Sequence, residues 1–534
     1  MKMRVTDRMN QWHTMSDFVT FPFYADRKSG KNAMNRVHML RRTANFLLAL
    51  VLAGHGLVAS AVAQTAASRV VFSLSLEPPE LDPTIAPSAS IGEVVHYNVL
   101  EGLVKIEENG GTTPLLASSW KVEQDGTVYR FALRKNVRFH DGAPFDAAAV
   151  RFSFERAMAP GSKNKSKKSL FDNIAAIDTP DPYTVLLRLR HADADTLFRL
   201  GESPAVVVHP ATAAQTVTVP IGTGPYRFES WKRGYGITLL KYEAYRNAAD
   251  VRIGEVLFRF INQPAAQAEA LEAREVDVFF NVATSAVANF QSNSAYQVLI
   301  GASSAKGMLA INNRRKPLDD VRVRRAITHA IDRERFIHDV LDGRGKVIGS
   351  HFSPTDPGYV HLAGLYPYDP KRAQALMKEA GVRLPLKLTL TLPPTPYARA
   401  GAPLIVEALA RIGIEVTTQA DDWASWMAGP FSGNFDLTLI NHVEPLDYQI
   451  YTDPGYYFGY ESAEFRDLVN RHGASTNARE RQMLFAQIQR KLASDAVNAW
   501  IFAPQISTVA RKGLKGLWMN FPIFVHDLAA LRWE

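Results

Sequence analysis

His442, Glu444 and Asp447 stand close together in the run "NHVEPLDYQIYTDPGYYFGY", residues 441–460, beside five tyrosines and a third carboxylate, Asp453. Three chemistries fit these residue types: a metal site, an acid/base pair, or a pocket wall that holds a solute. The rest of the chain weighs against the first two. Its fourteen histidines form no HExxH and no i,i+4 pair beside a helical carboxylate. His329 and His338 are expected on one helix, but nine residues apart they make no two-ligand clamp. There is no cysteine, which removes disulfides, thiolate metal ligands and cysteine nucleophiles. No G-x-S-x-G and no Walker loop occur. "IGTGPYRF" lacks both a third glycine and a lysine, so it reads as a tight turn set by Pro225. Glu444 and Asp447 are near in sequence, and that alone does not make a dyad. No metal, cofactor or catalytic set is therefore expected. Tyrosine suits a pocket wall, because it offers rigid contact area and one hydroxyl at small entropic cost.

The elements that must position these residues alternate between strand and helix. "VVFSLSLEPPELDP" begins as a strand and ends in a proline-marked turn. "WKVEQDGTVYRFALRKNVRFHDG" reads as short strands with a hairpin at Asp125-Gly126. Asp146 is placed to cap a helix over "AAAVRFSFERAM". "KNKSKK", residues 163–168, reads as a solvated loop. "VRVRRAITHAIDRERFIHDVL" sets Val323, Ile327, Ala330, Ile331 and Ile337 near one helical face and its arginines toward water. "YDPKRAQALMKEAGV" is a helix entered at Pro370 and closed by Gly381. The strands "LKLTLTL" and "IEVTTQA" follow. The chain is mixed α/β without a short repeat.

Charge and the front end suggest a compartment. The net charge of +8 is concentrated in residues 1–63, which hold nine Lys/Arg and three Asp/Glu; the remainder has 52 against 50. A nucleic-acid footprint on the body is not expected. Arg36, Arg41 and Arg42 precede the apolar "ANFLLALVL", and Ala61 and Ala63 supply the A-x-A pattern of a cleavable signal over 34–63. The alternative, a membrane helix over 44–63, is weakened by Asn45, His55 and nearby glycines. Residues 1–33 read as an extension or a mis-called start. Without a cysteine after the signal there is no lipid anchor, and the mature chain is expected free in a periplasm.

Six landmarks stand in order from about residue 70 onward: "EPPELDP", "NVLEGLVK", "PLLASSWKVEQDGTVYRFALRKNVRFHDGAPFDAAAVRFSFERA", "PIGTGPYRF", "INNRRKPLDDVRVRRAITHAIDRERF" and "YDPKRAQALMKEAG". In this the chain resembles the extracytoplasmic solute-binding proteins of ABC importers, the family with oligopeptide-, dipeptide- and nickel-binding members. The resemblance implies an α/β, two-lobed periplasmic binding protein fold, type II-like, with an extra subdomain in the first lobe. The first lobe is expected at 66–100, 215–300 and 505–534, the subdomain at 101–214 and the second lobe at 301–504. It also implies a ligand buried between lobes that close on a hinge.

The same resemblance puts Asn441, His442, Glu444 and Asp447 in the pocket wall, with Trp423 and Asn312 as further candidates. Trp423 and Trp426 serve equally to plug the lobe surface, and Asn312 and Asn313 to bond the hinge backbone. Arg314 and Arg315 are solvated or reach an anionic ligand. Tyr456, Tyr457 and Phe458 fit the packing of the second lobe. Two departures bear on the ligand. Peptide-binding relatives hold the peptide amine with an aspartate where this chain has Asn441. Dipeptide-binding relatives hold the carboxylate with an arginine where it has Thr395, ahead of Pro396-Tyr397. Neither simple zwitterion anchor is in its usual place, though Glu444 or Asp447 could replace the first. The implied function is capture of a peptide, modified peptide or opine-like solute by a monomer for the permease subunits of an importer. Service to a chemoreceptor is the alternative of the same fold. A secreted hydrolase lacks a visible nucleophile and base.

Overall fold

The computed structural model describes residues 68–534 apart from Pro87 and residues 281–283. The expected signal segment 34–63 and the extension 1–33 lie outside the described residues. Among the described residues no helix is long and apolar enough to cross a membrane.

Among the described residues, twelve strands form one sheet whose two halves meet on a single strand, Ala499–Arg511. The beginning of that strand pairs with Lys306–Ile311, which continues outward through Leu437–His442 and Leu386–Leu392 to Ile414–Ala420. Its end pairs with Val278–Phe280, which continues through Arg69–Leu74 and Glu255–Phe260 to Gly236–Lys241 and Tyr226–Lys232. Its first half, Ala499 to Ala503, is apolar and buried throughout, as a strand covered on both faces requires. A separate antiparallel sheet of Ala117–Glu123, Val128–Leu133, Thr184–Leu189 and Ile174–Asp181 packs on the helix Ala147–Met158. Phe131, Phe145, Phe154 and Phe171 make its core.

Several local expectations hold. Asp146 Oδ1 accepts the amide hydrogens of Ala148 and Ala149. The helix Pro370–Glu379 begins at its proline, and Gly381 follows it at φ +68°. The glycines of "IGTGPYRF" answer to packing: a Cβ on Gly222 or Gly224 would run into the backbone of Val99 or Asn98.

One helix expectation fails. The run from Val321 divides into Val321–Ala330 and Arg333–Leu341, because Asp332 caps the second helix by accepting the Arg335 amide hydrogen at 3.0 Å. His329 and His338 are therefore on different helices. Two of the arginines expected in water are buried. Arg324 donates to the carbonyls of Leu318, Asp319, Asp495 and Ala496, and Arg333 to those of Ile348, Ala363 and Tyr366. Backbone carbonyls left over at loop ends need donors, and a guanidinium offers five.

Candidate ligand-binding site

The strand Leu437–His442 alternates its side chains, and this separates two neighbours that the sequence had grouped. Asn441 faces a cavity of about 620 Å³. His442 faces the other way, into a buried polar network. Asn441 is paired across the sheet with Gly307, whose missing side chain leaves room for it. Its backbone N–H donates to Tyr397 Oη at 2.9 Å, while its side-chain Oδ1 is buried and has no hydrogen-bond partner.

Two walls enclose this cavity. One includes Tyr397, Asn441, Phe502 and Arg344, which donates to Ser507 Oγ at 2.6 Å. The other has Glu93 on the helix Ala89–Val95, Phe280, and the chain's last pass from Phe521 to His526. His526 stacks on Phe280 with ring centres 4.1 Å apart, and its Nε2 has no partner. Burial lowers its pKa to about 3, so it is a neutral wall residue. Burial raises the Glu93 carboxyl to about 7. The walls are mostly aromatic and aliphatic, with few polar groups that could orient a guest.

His442 belongs to a network centred on Asp447. The Asp447 carboxylate accepts from Lys306 Nζ at 2.8 Å and meets His351 Nε2 at 2.8 Å and His442 Nδ1 at 2.9 Å. The outer nitrogens of the two imidazoles meet the hydroxyls of Tyr451 at 3.0 Å and Tyr457 at 2.8 Å. Burial alone would raise Asp447, but His351, Lys306 and the hydrogen bonds outweigh it and hold the carboxyl well below the usual range. Burial lowers His351 to about 4. The ligand-type atoms of His351, His442 and Asp447 lie within 4.8 Å of one another, the spacing of a metal cage. Here the lysine already supplies the positive charge and every ring nitrogen is engaged. The arrangement is that of a satisfied polar core.

Glu444 lines a second cavity, of about 190 Å³, together with Asp447. It faces Lys165 at 3.3 Å, and Lys168 approaches Asp453 at 3.8 Å. The loop expected to be merely solvated thus touches the tyrosine-rich segment. Trp423 lines neither cavity. It is 48% exposed on the helix Trp423–Ala428, its ring edge-on to Trp426. Trp426 is buried and donates to Thr438 Oγ1 at 3.0 Å. Asn312 is buried too. Its Nδ2 donates to the carbonyls of Gly433 and Phe435, and its Oδ1 accepts from the Arg314 amide at 3.1 Å. Every polar atom of that side chain serves the backbone. Tyr457 and Phe458 pack in the core, as expected for them. Sequence reasoning missed Glu93, Arg344 and His526. Glu93 had one signal: it is the only charge in the otherwise apolar or small "ASIGEVV".

The model of the family "Bacterial extracellular solute-binding proteins, family 5 Middle" matches residues 111–459. The chain belongs to this family. Among the proteins similar to it is the di/tripeptide-binding protein 1 of Pseudomonas aeruginosa (strain UCBPP-PA14). It is 27% identical over 434 residues, 75% of this chain and 81% of that one. The glutathione-binding protein of Salmonella paratyphi A is 28% identical over 343 residues, 62% of this chain and 65% of that one. Among solved structures, the PBP AgaA of A. tumefaciens R10 in complex with agropinic acid superposes with a TM-score of 0.73 at 26% identity. It covers 87% of this chain and 99% of its own. The two-lobed family 5 fold is thereby shown. The chain is a solute-binding protein of the ABC-transporter type, and its relatives are binding components rather than enzymes.

Proposed function

We propose that this family 5 protein captures a peptide or peptide-like solute in the 620 Å³ cavity and delivers it to a membrane permease. One observation carries the reading. The cavity is walled on one side by the helix Ala89–Val95 and the chain's last pass, and on the other by the strand Leu437–His442 and its neighbours. The strand Ala499–Arg511 belongs to both sides, so it is the natural place for a hinge. The volume suits a small solute. Names among the relatives, di/tripeptide, glutathione and agropinic acid, support a peptide-like guest.

In this reading the first lobe comprises 66–100, 215–300 and 505–534, with the subdomain 101–214, and the second lobe 301–504. Asn441 is the site residue kept from the sequence prediction. His442 and Asp447 support it from behind, and Glu444 borders the smaller cavity. The protein works as a monomer, binds no nucleic acid, and reaches the periplasm through a signal removed after Ala63.

Native mass spectrometry of protein purified without denaturation should find a co-purified small solute. Adding that solute should lower the radius of gyration in small-angle scattering and raise the melting temperature. A bound solute that changes neither would overturn the closing mechanism. Mature protein should begin at or near Gln64; retention of residues 44–52 in membranes would overturn the export reading.

A further inference from the structure

One carboxylate that lines the large cavity is left without a partner. Glu93 comes from the first wall and has no hydrogen bond or ion pair among the described residues. Asn441 lines the opposite wall, but its Oδ1 lies against Gly307 and is closed off from the cavity. A carboxylate set in a largely apolar cavity without a donor is completed by a guest that brings N–H groups. The two carboxylates expected from the sequence to take a cation are committed elsewhere. Asp447 is held by Lys306 and two histidines, and Glu444 faces Lys165 beside the smaller cavity. Among the described residues, Arg344 is the one arginine or lysine that lines the large cavity, and His526 beside it is neutral. A purely anionic guest would leave Glu93 without a counter-charge.

We propose that Glu93 is the anchor for the solute's ammonium or guanidinium group. The inference rests on the large cavity being the ligand site. It names the ligand class more closely: an amine-bearing, peptide-like solute with an apolar body that lies against Tyr397, Phe502 and Phe280. The cation-binding carboxylate then belongs to the wall opposite Asn441. Burial favours the neutral form of Glu93 in the empty site, and an arriving cation restores the charged form, which makes the site selective for ammonium over a neutral amide.

The test is calorimetric titration with alanyl-phenylalanine, alanyl-alanyl-phenylalanine and their N-acetylated forms, on wild type and on Glu93→Gln. Wild type should prefer the free amines, and Glu93→Gln should lose roughly ten- to a hundredfold in affinity for them while keeping its affinity for the acetylated forms. Glu93 has no partner to lose, so Glu93→Gln should melt at or above the wild-type temperature. Glu93→Ala serves as a second variant and should show the same selective loss. Wild type that binds both forms equally, a variant that keeps the preference, or wild type that binds no free amine would each overturn the anchor. None of these outcomes touches the binding-protein reading, which the co-purified solute and the scattering decide separately.

Discussion

Lys306 and Asp447 form an ion pair at 2.8 Å, with the lysine side chain fully buried. The same ammonium donates to the Glu444 carbonyl at 2.6 Å, so one cation ties the strand Lys306–Ile311 to the segment between the two cavities. Removing it leaves Asp447 as a buried charge with imidazoles alone. Lys306→Met should lower the unfolding free energy by about 3–5 kcal/mol, measured by urea denaturation. Lys306→Met combined with Asp447→Asn should cost less than the two single changes added together.

Asn441→Asp places a carboxylate opposite Glu93. If Glu93 already holds the ammonium, the change gains little in wild type. In the Glu93→Gln background it should restore roughly tenfold or more of the affinity for free-amine peptides. Glu444→Gln is the control. Glu444 faces the smaller cavity and pairs with the part-exposed Lys165, so its loss should alter peptide affinity less than threefold by the same titration.

His526 gives a pH signature. Its pKa is about 3 in the folded chain, against about 6.5 when exposed. Between these values the unfolded chain binds the extra proton, so this residue's effect on stability worsens as pH falls from about 6.5 toward 3. His526→Phe keeps an aromatic ring against Phe280 and removes the titration. The melting temperature of the ligand-free variant, relative to wild type, should climb as pH is lowered from 7 to 4. A difference that stays constant with pH would contradict the assignment.

Gly222 lies against the backbone of Val99, and His140 donates its amide to the Gly222 carbonyl at 2.9 Å. Gly222→Ala must push those two segments apart. It should destabilise by more than about 2 kcal/mol in denaturant, while an alanine at the open Gly234 turn should cost no more than the strain of its φ of +71°.

Much of this protein was readable from the chain alone, for a local reason. Caps and hairpin turns depend on near neighbours, so Asp146, Pro370 and the hairpin at Asp125-Gly126 could be placed from their own surroundings. The ordered landmarks pointed to the family, but they left Asn441 and His442 together, and only the strand Leu437–His442 put them on opposite faces. Other facts came from residues far apart in sequence. That Asn312 is spent on the carbonyls of Gly433 and Phe435, that Arg324 and Arg333 are buried, and that Asp447 answers to Lys306 all depend on which segments fold against one another. The large cavity is the strongest case. Glu93, Arg344, Asn441 and His526 share it although they are scattered over more than four hundred residues. Their types showed what each could do, but only packing decided which of them was left without a partner and turned toward open space.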